Sequence, residues 1–105
     1  MSSEAYRMID RYPDRLPVLV FRSDKCKSIP DIDKHKYLVP KSITYGQFIF
    51  IIRKRLEIND KIALFTFINN KKLPPTGSIM SEIYGQYKDS DGFLRITYTG
   101  ENTFG

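Results

Sequence analysis

The chain has no tryptophan, one cysteine and one histidine among its 105 residues. A lone Cys26 excludes an internal disulfide and suits a reducing compartment. The longest unbroken apolar run is Phe48-Ile49-Phe50-Ile51-Ile52, far short of the roughly 20 residues a membrane span needs. Met1 to Arg7 is polar and carries no apolar segment of a secretory signal. No internal repeat, low-complexity tract or long linker divides the sequence, whose length is that of one domain. These absences predict a cytoplasmic domain. Seven Phe and seven Tyr, with 41% hydrophobic and 28% charged residues, supply material for one core and argue against disorder.

Chemistry-bearing constellations are equally scarce. Catalysis needs an activated nucleophile, a tuned acid–base pair or a metal. Cys26 and His35 lie in or beside a charged, loop-like stretch with no third group to orient a dyad, and read as inert surface residues. Asp89-Ser90-Asp91-Gly92 resembles a fragment of a calcium loop but lacks its further acids and closing Glu, so a type I turn is expected. Asp31-Ile32-Asp33 has too few ligands for a metal site. No glycine-rich phosphate motif is present, and no cofactor is implied. The sequence reads as that of a protein without enzymatic activity.

The charge is uneven. Residues 1–55 hold 12 basic and 6 acidic side chains, residues 56–105 hold 5 and 6. A basic half suits an acidic peptide, an anionic membrane surface or nucleic acid, or is simply a solvated face. Nucleic acid is disfavoured. The strand aromatics Phe65, Phe67, Phe93 and Tyr98 are spaced as core residues, and no RNA-recognition signature appears.

Along the chain, a short helix is expected from Ser3 to Arg11, with Ser2 or Ser3 as N-cap, Glu4 in its first turn and Tyr12-Pro13 as its stop. Leu16–Arg22 is rich in β-branched residues and predicts a strand; Pro17 is tolerated near its start. Ser23–Asp33 reads as a polar loop, and Tyr37–Val39 as a second strand stopped by Pro40. Thr44 and Gln47 form a capping-box pattern opening a helix to about Leu56, with Phe48, Ile51, Ile52 and Leu56 as its apolar stripe. Arg53-Lys54-Arg55 close it where the helix dipole favours cations. Ala63–Ile68 is a third strand, Leu73-Pro74-Pro75-Thr76-Gly77 a turn, and Ser78 to about Tyr84 a short helix. Phe93–Thr99 alternates as a last strand, with Leu94, Ile96 and Tyr98 on one face. The order helix, then ββ-α-β-α-β, predicts an α+β domain of the ubiquitin-like β-grasp type: a mixed four-stranded sheet with a central helix, preceded by one short N-terminal helix. Residues 1–99 form the domain, with that helix at about 3–11, and 100–105 a flexible C-terminal tail.

From Tyr12 onward the pattern becomes specific. Tyr12-Pro13-Asp14-Arg15 is followed by Pro17-Val18, Asp33-Lys34, Lys36-Tyr37-Leu38-Val39-Pro40, Gly46-Gln47-Phe48, Ile52-Arg53-Lys54-Arg55, Asn69-Asn70 and Pro74-Pro75-Thr76. Gly100-Glu101-Asn102-Thr103-Phe104-Gly105 completes the set. In this order the motifs closely resemble the GABARAP-type autophagy modifiers, ubiquitin-like proteins conjugated to phosphatidylethanolamine. Most members of that family carry two N-terminal helices, where this sequence has one beside Tyr12. Most are also made with residues beyond the glycine, which a cysteine protease removes; here Gly105 is last.

The resemblance implies that the Gly105 carboxylate is adenylated, passed to cysteines of an activating and a conjugating enzyme, and then to the lipid amine, with Phe104 recognised in the tail. The residues suit this, because a glycine without Cβ leaves its carbonyl open within a narrow site. The implied partners are those enzymes, a deconjugating cysteine protease, phosphatidylethanolamine membranes of autophagosomes or related vesicles, and receptors carrying an aromatic-x-x-aliphatic motif flanked by acids. Such a motif adds as a strand beside the second strand. By family position Met8, Pro17, Lys36, Leu38 and Phe93 line its aromatic pocket, and Tyr37, Val39, Pro40, Ile43, Phe48, Ile51 and Arg55 its aliphatic one. Independently, Tyr37–Val39 is short and flanked by Lys34, Lys36 and Lys41, as an edge strand with a basic rim would be. Ile51, Phe48 and Leu38 suit plain core packing as well as pocket lining. Lys36 and Arg55, charged within apolar neighbourhoods, call for anionic partners. The competing reading is an unconjugated ubiquitin-like peptide-binding module, or a protein-conjugated modifier, on the same fold.

Overall fold

Helix α1 (Glu4–Arg11) has Glu4 in its first turn and Arg11 in its last, each opposite in sign to the dipole end beside it. Its apolar side is Ala5, fully buried, with half-buried Met8 and Ile9, and it packs on strand β1 (Arg15–Arg22). The computed structural model describes residues 4–69 and 76–101. The N-cap expected at Ser2 or Ser3, Asn70, the Leu73-Pro74-Pro75 part of the turn, and Phe104 and Gly105 lie outside these residues.

The remaining elements follow in the expected order: β2 (Lys36–Pro40), α2 (Tyr45–Leu56), β3 (Phe65–Phe67), α3 (Met80–Tyr87) and β4 (Leu94–Thr99). One mixed sheet runs β2-β1-β4-β3, with β1 antiparallel to β2 and parallel to β4, and β3 antiparallel to β4. This is the ubiquitin-like arrangement expected from the sequence. Pairing with β4 begins at Val18, so Pro17 sits where β1 has only β2 beside it. β3 is shorter than the expected 63–68, and α3 starts two residues later than Ser78 and runs to Tyr87.

The capping box of α2 is formed: the Gln47 amide donates to Thr44 Oγ1 at 3.1 Å and the Thr44 amide to Gln47 Oε1 at 2.8 Å. Tyr45, Phe48, Ile52 and Leu56 of α2 are buried against Leu16, Val18 and Val20 of β1, Leu94, Ile96 and Tyr98 of β4, and Met80 and Ile83 of α3. Ile51, counted with the apolar stripe, instead stands 42% exposed. The helix ends on Glu57 with φ 58°, a left-handed position that favours glycine. Glu57→Gly should therefore raise the unfolding free energy by about 0.5–1 kcal/mol, read from a urea melt.

Ser23–Asp33 is a loop, yet not a purely polar one, because it inserts Cys26, Ile29 and Ile32 into the core. Tyr98 reaches it, donating from its hydroxyl to the Pro30 carbonyl at 2.7 Å. Cys26 is thus buried, not the surface residue expected; its thiol faces the Ile29 carbonyl at 3.6 Å, while His35 Nδ1 bonds the Val20 carbonyl and its ring stacks on Phe21. At Asp89–Gly92 the chain turns, with the Gly92 amide donating to the Asp89 carbonyl at 2.9 Å. Gly92 has φ +89°, and a Cβ there would meet the Tyr6 ring at 3.0 Å and Ala5 at 3.1 Å. That glycine lets α1 and the β4 entry approach.

Candidate peptide-binding edge and C-terminal tail

β2 occupies one end of the sheet, so among the described residues one of its backbone edges has no strand beside it. Such an edge is a template for an added strand. Its side chains alternate: Tyr37 and Val39 are buried on the α2 side, whereas Lys36 is exposed and Leu38 half-buried on the α1 side. One strand therefore divides the residues expected to line a site into two groups.

On the α1 side, Leu38 lies directly across from Pro17 and Lys36 across from Leu19. Met8 is half-buried on α1, and Phe93 immediately precedes β4, next to the Gly92 that packs under Tyr6. Phe93 is held closed, at 6% exposure, with the Arg95 guanidinium 5.9 Å from its ring centre. Arg95 is itself fixed by Asp89 at 2.9 Å and Asp91 at 2.7 Å. The Asp-Ser-Asp-Gly segment thus braces the wall of this group through Asp89 and Asp91; among the described residues no group of three or more metal-binding side chains occurs.

On the α2 side, the Tyr37 and Phe48 rings meet edge to face with centroids 5.9 Å apart. Phe48 is fully buried and Val39 nearly so, so both lie beneath this surface, while half-buried Ile43 and exposed Ile51 and Arg55 reach it; Pro40, half-buried, alternates onto the α1 side with Lys36 and Leu38, away from the aliphatic group in which it was expected. Ile43 and Ile51 also line an open groove of about 650 Å³ with Thr44, Gly46, Gln47, Phe50, Thr76 and Gly77. Burial pushes the Tyr37 phenol up, and its hydroxyl has no hydrogen-bond partner among the described residues.

The cations of the edge have partners that sequence reasoning missed. Lys36 is paired with Glu4 of α1. Arg55 grips Asp33 through two of its guanidinium nitrogens, Nε to Oδ1 at 2.7 Å and Nη2 to Oδ2 at 3.2 Å. The Arg55 hydrogen bond holds the Asp33 carboxyl below its ordinary range. Lys34 stands over the Tyr37 ring at 5.1 Å. The anionic partners that Lys36 and Arg55 call for are already supplied by the chain.

The tail also departs from expectation at its start. Gly100 and Glu101 are half-buried, and Glu101 accepts from the Lys27 amide at 2.8 Å and from the Thr99 hydroxyl at 2.9 Å. These bonds hold its carboxyl below the usual range, the Lys27 amide contributing most. The flexible tail expected from Gly100 is tied down through Glu101; residues 102–105 lie outside the described residues.

Comparison with known proteins agrees with this architecture. The family model described as "Autophagy protein Atg8 ubiquitin like" matches residues 1–105. Autophagy-related protein 8e of Arabidopsis thaliana is 53% identical over 103 residues, covering 98% of this chain and 83% of that protein. Autophagy-related protein 8A of Oryza sativa subsp. indica is 52% identical, covering 98% and 85%. The crystal structure of Trypanosoma brucei ATG8 superposes with a TM-score of 0.85 at 41% identity, covering 97% of this chain and 86% of that one. With the ordered motifs, the ubiquitin-like sheet and these matches in agreement, the chain belongs to the Atg8 family of ubiquitin-like autophagy proteins.

Proposed function

We propose that the chain is a modifier joined through Gly105 to phosphatidylethanolamine and, on autophagosomal or related membranes, an adaptor for receptors bearing an aromatic-x-x-aliphatic motif. In the unconjugated state it is cytoplasmic. The observation that carries the adaptor reading is the free edge of β2, with Leu38 to one side and the Tyr37–Ile51 group to the other. A motif strand added there gains backbone hydrogen bonds, and its aromatic and aliphatic side chains fall on opposite sides of that edge. Family membership supports the conjugation reading.

Conjugation follows from the chemistry of a carboxylate. The Gly105 carboxylate attacks the α-phosphorus of ATP and releases pyrophosphate; an activating-enzyme thiolate then attacks the acyl-adenylate and releases AMP. Exchange moves the acyl group to the conjugating enzyme's cysteine. The lipid amine attacks the thioester carbon, the C–N bond forms, the C–S bond breaks, and the amine's proton is lost as the thiolate leaves. The chain supplies the acyl group and the docking surfaces; the reacting thiols belong to the enzymes. A deconjugating cysteine protease hydrolyses the attachment, returning the free Gly105 carboxylate and the lipid amine.

Reconstitution with family enzymes, ATP and phosphatidylethanolamine liposomes tests this, and a membrane-bound species of faster gel mobility is expected. Liposomes left unmodified while a motif peptide still binds would instead establish an unconjugated binding module.

The ion pairs at the edge give a quantitative corollary. An acid flanking the motif must displace Asp33 to reach Arg55, and exposed ion pairs contribute roughly 0.2–1 kcal/mol. Asp33→Asn should therefore tighten binding of an acid-flanked motif peptide by up to about fivefold in calorimetric titration. The same peptide with its acids replaced by amides should show no gain.

A further inference from the structure

Glu101 lies 74 residues from Lys27 in sequence, yet its carboxylate closes on the Lys27 amide at 2.8 Å. The same carboxylate accepts from Thr99 Oγ1, whose oxygen in turn accepts from the Glu101 amide at 3.2 Å. Ser28 faces it as well. Between these bonds, Gly100 is pressed against the loop. A Cβ on it would stand 2.0 Å from Ser28 Oγ and 2.9 Å from Ile29 Cγ1, so Ser28 and the buried Ile29 would both have to shift. Thr99 is fully buried, and the Ser23 amide donates to the Tyr98 carbonyl at 2.8 Å, so loop 23–30 closes over the end of β4 at several consecutive residues.

We propose that Glu101 is a positioning residue: it latches the start of the tail to loop 23–30 and fixes both where the tail leaves the domain and how far it reaches. The role presupposes the conjugation through Gly105 proposed above. With the latch closed, four residues, 102–105, lie beyond it, a reach of at most about 14 Å. With the latch open the free tether is six residues, 100–105, and about 21 Å. The longer tether explores more space, and loop-closure statistics lower the chance of presenting Gly105 at an enzyme's active site by roughly twofold. Loss of the fixed exit direction adds to this. The effect therefore falls on capture of the tail and not on the chemistry that follows.

The full chain tests it in two measurements. In hydrogen exchange the Lys27 amide should be protected, and Glu101→Ala should speed its exchange by about tenfold, the scale of one charge-assisted hydrogen bond. Glu101→Gln keeps one acceptor oxygen and should restore part of that protection, which separates the latch from any general loosening of the fold. In conjugation with family enzymes, Glu101→Ala should lower kcat/KM at least about twofold while kcat is retained. A Lys27 amide that exchanges freely in the unmodified chain would overturn the latch. Equal kcat/KM for the unmodified chain and Glu101→Ala would overturn the positioning role. Failure of the unmodified chain to conjugate at all, with Lys27 protected, would overturn the conjugation reading and with it the role in conjugation, leaving Glu101 a structural clasp.

Discussion

Deletion of Gly105 is expected to abolish transfer of the chain to phosphatidylethanolamine liposomes without changing its melting temperature. Removing this residue leaves the Phe104 carboxylate as the only terminal acyl donor, and the phenyl ring beside it fills the space a narrow thioester site keeps clear for glycine. Gly105→Ala is expected to fail in the same assay, because its Cβ stands next to the attacked carbonyl. The melting temperature is expected to hold in both, since among the described residues the core cluster is drawn from residues between Leu16 and Tyr98. A truncation reaching Glu101 also removes the contacts to Lys27 and Thr99, so it changes the end of β4 as well as the donor. Conjugation of either Gly105 variant at the rate of the unmodified chain would end the modifier reading, and the edge strand would remain as a binding module.

What was legible in the sequence was local. Helix α2 carries its own start signal in Thr44 and Gln47 and its own end signal in Arg53-Lys54-Arg55, and both correspond to observed structure. The β4 alternation is equally self-contained, with Leu94, Ile96 and Tyr98 buried. Helical spacing did not separate Phe48 from Ile51. They stand three residues apart on one stripe, yet only the first lies under the sheet, because the stripe's edge position is set by what packs beside it. In the loop 23–33, Cys26, Ile29 and Ile32 recur every third residue within a polar stretch, a signal that was present and outweighed by composition. The pairings at the site were out of reach for another reason. Glu4 and Lys36 are 32 residues apart, Asp33 and Arg55 are 22 apart, and Glu101 and Lys27 are 74 apart. Such contacts depend on the assembled sheet and leave no local trace.

Tyr37 and Leu38 separate the two roles an edge strand combines, and truncating each should give opposite results. Tyr37, expected to line the aliphatic pocket, is 7% exposed and packs edge to face on fully buried Phe48. Tyr37→Ala should then cost about 3–5 kcal/mol of folding free energy, the range for aromatic truncation in a sealed core. Part of that loss is offset, because the mutation also removes a buried hydroxyl without a partner among the described residues. Leu38 stands on the other side of the strand, half-buried across from Pro17, and its truncation opens no sealed cavity. Leu38→Ala should therefore cost less than about 2 kcal/mol of stability, below the range for leucine in a closed core. If the aromatic of a motif peptide rests on it, the same change should weaken binding by about 2–4 kcal/mol, the scale of a central interface contact. Denaturant melts and calorimetric titrations of the two single variants read all of these quantities. A Leu38→Ala chain that binds the peptide normally would remove the α1-side group from the site, because no other residue of β2 offers an apolar side chain in register with Pro17.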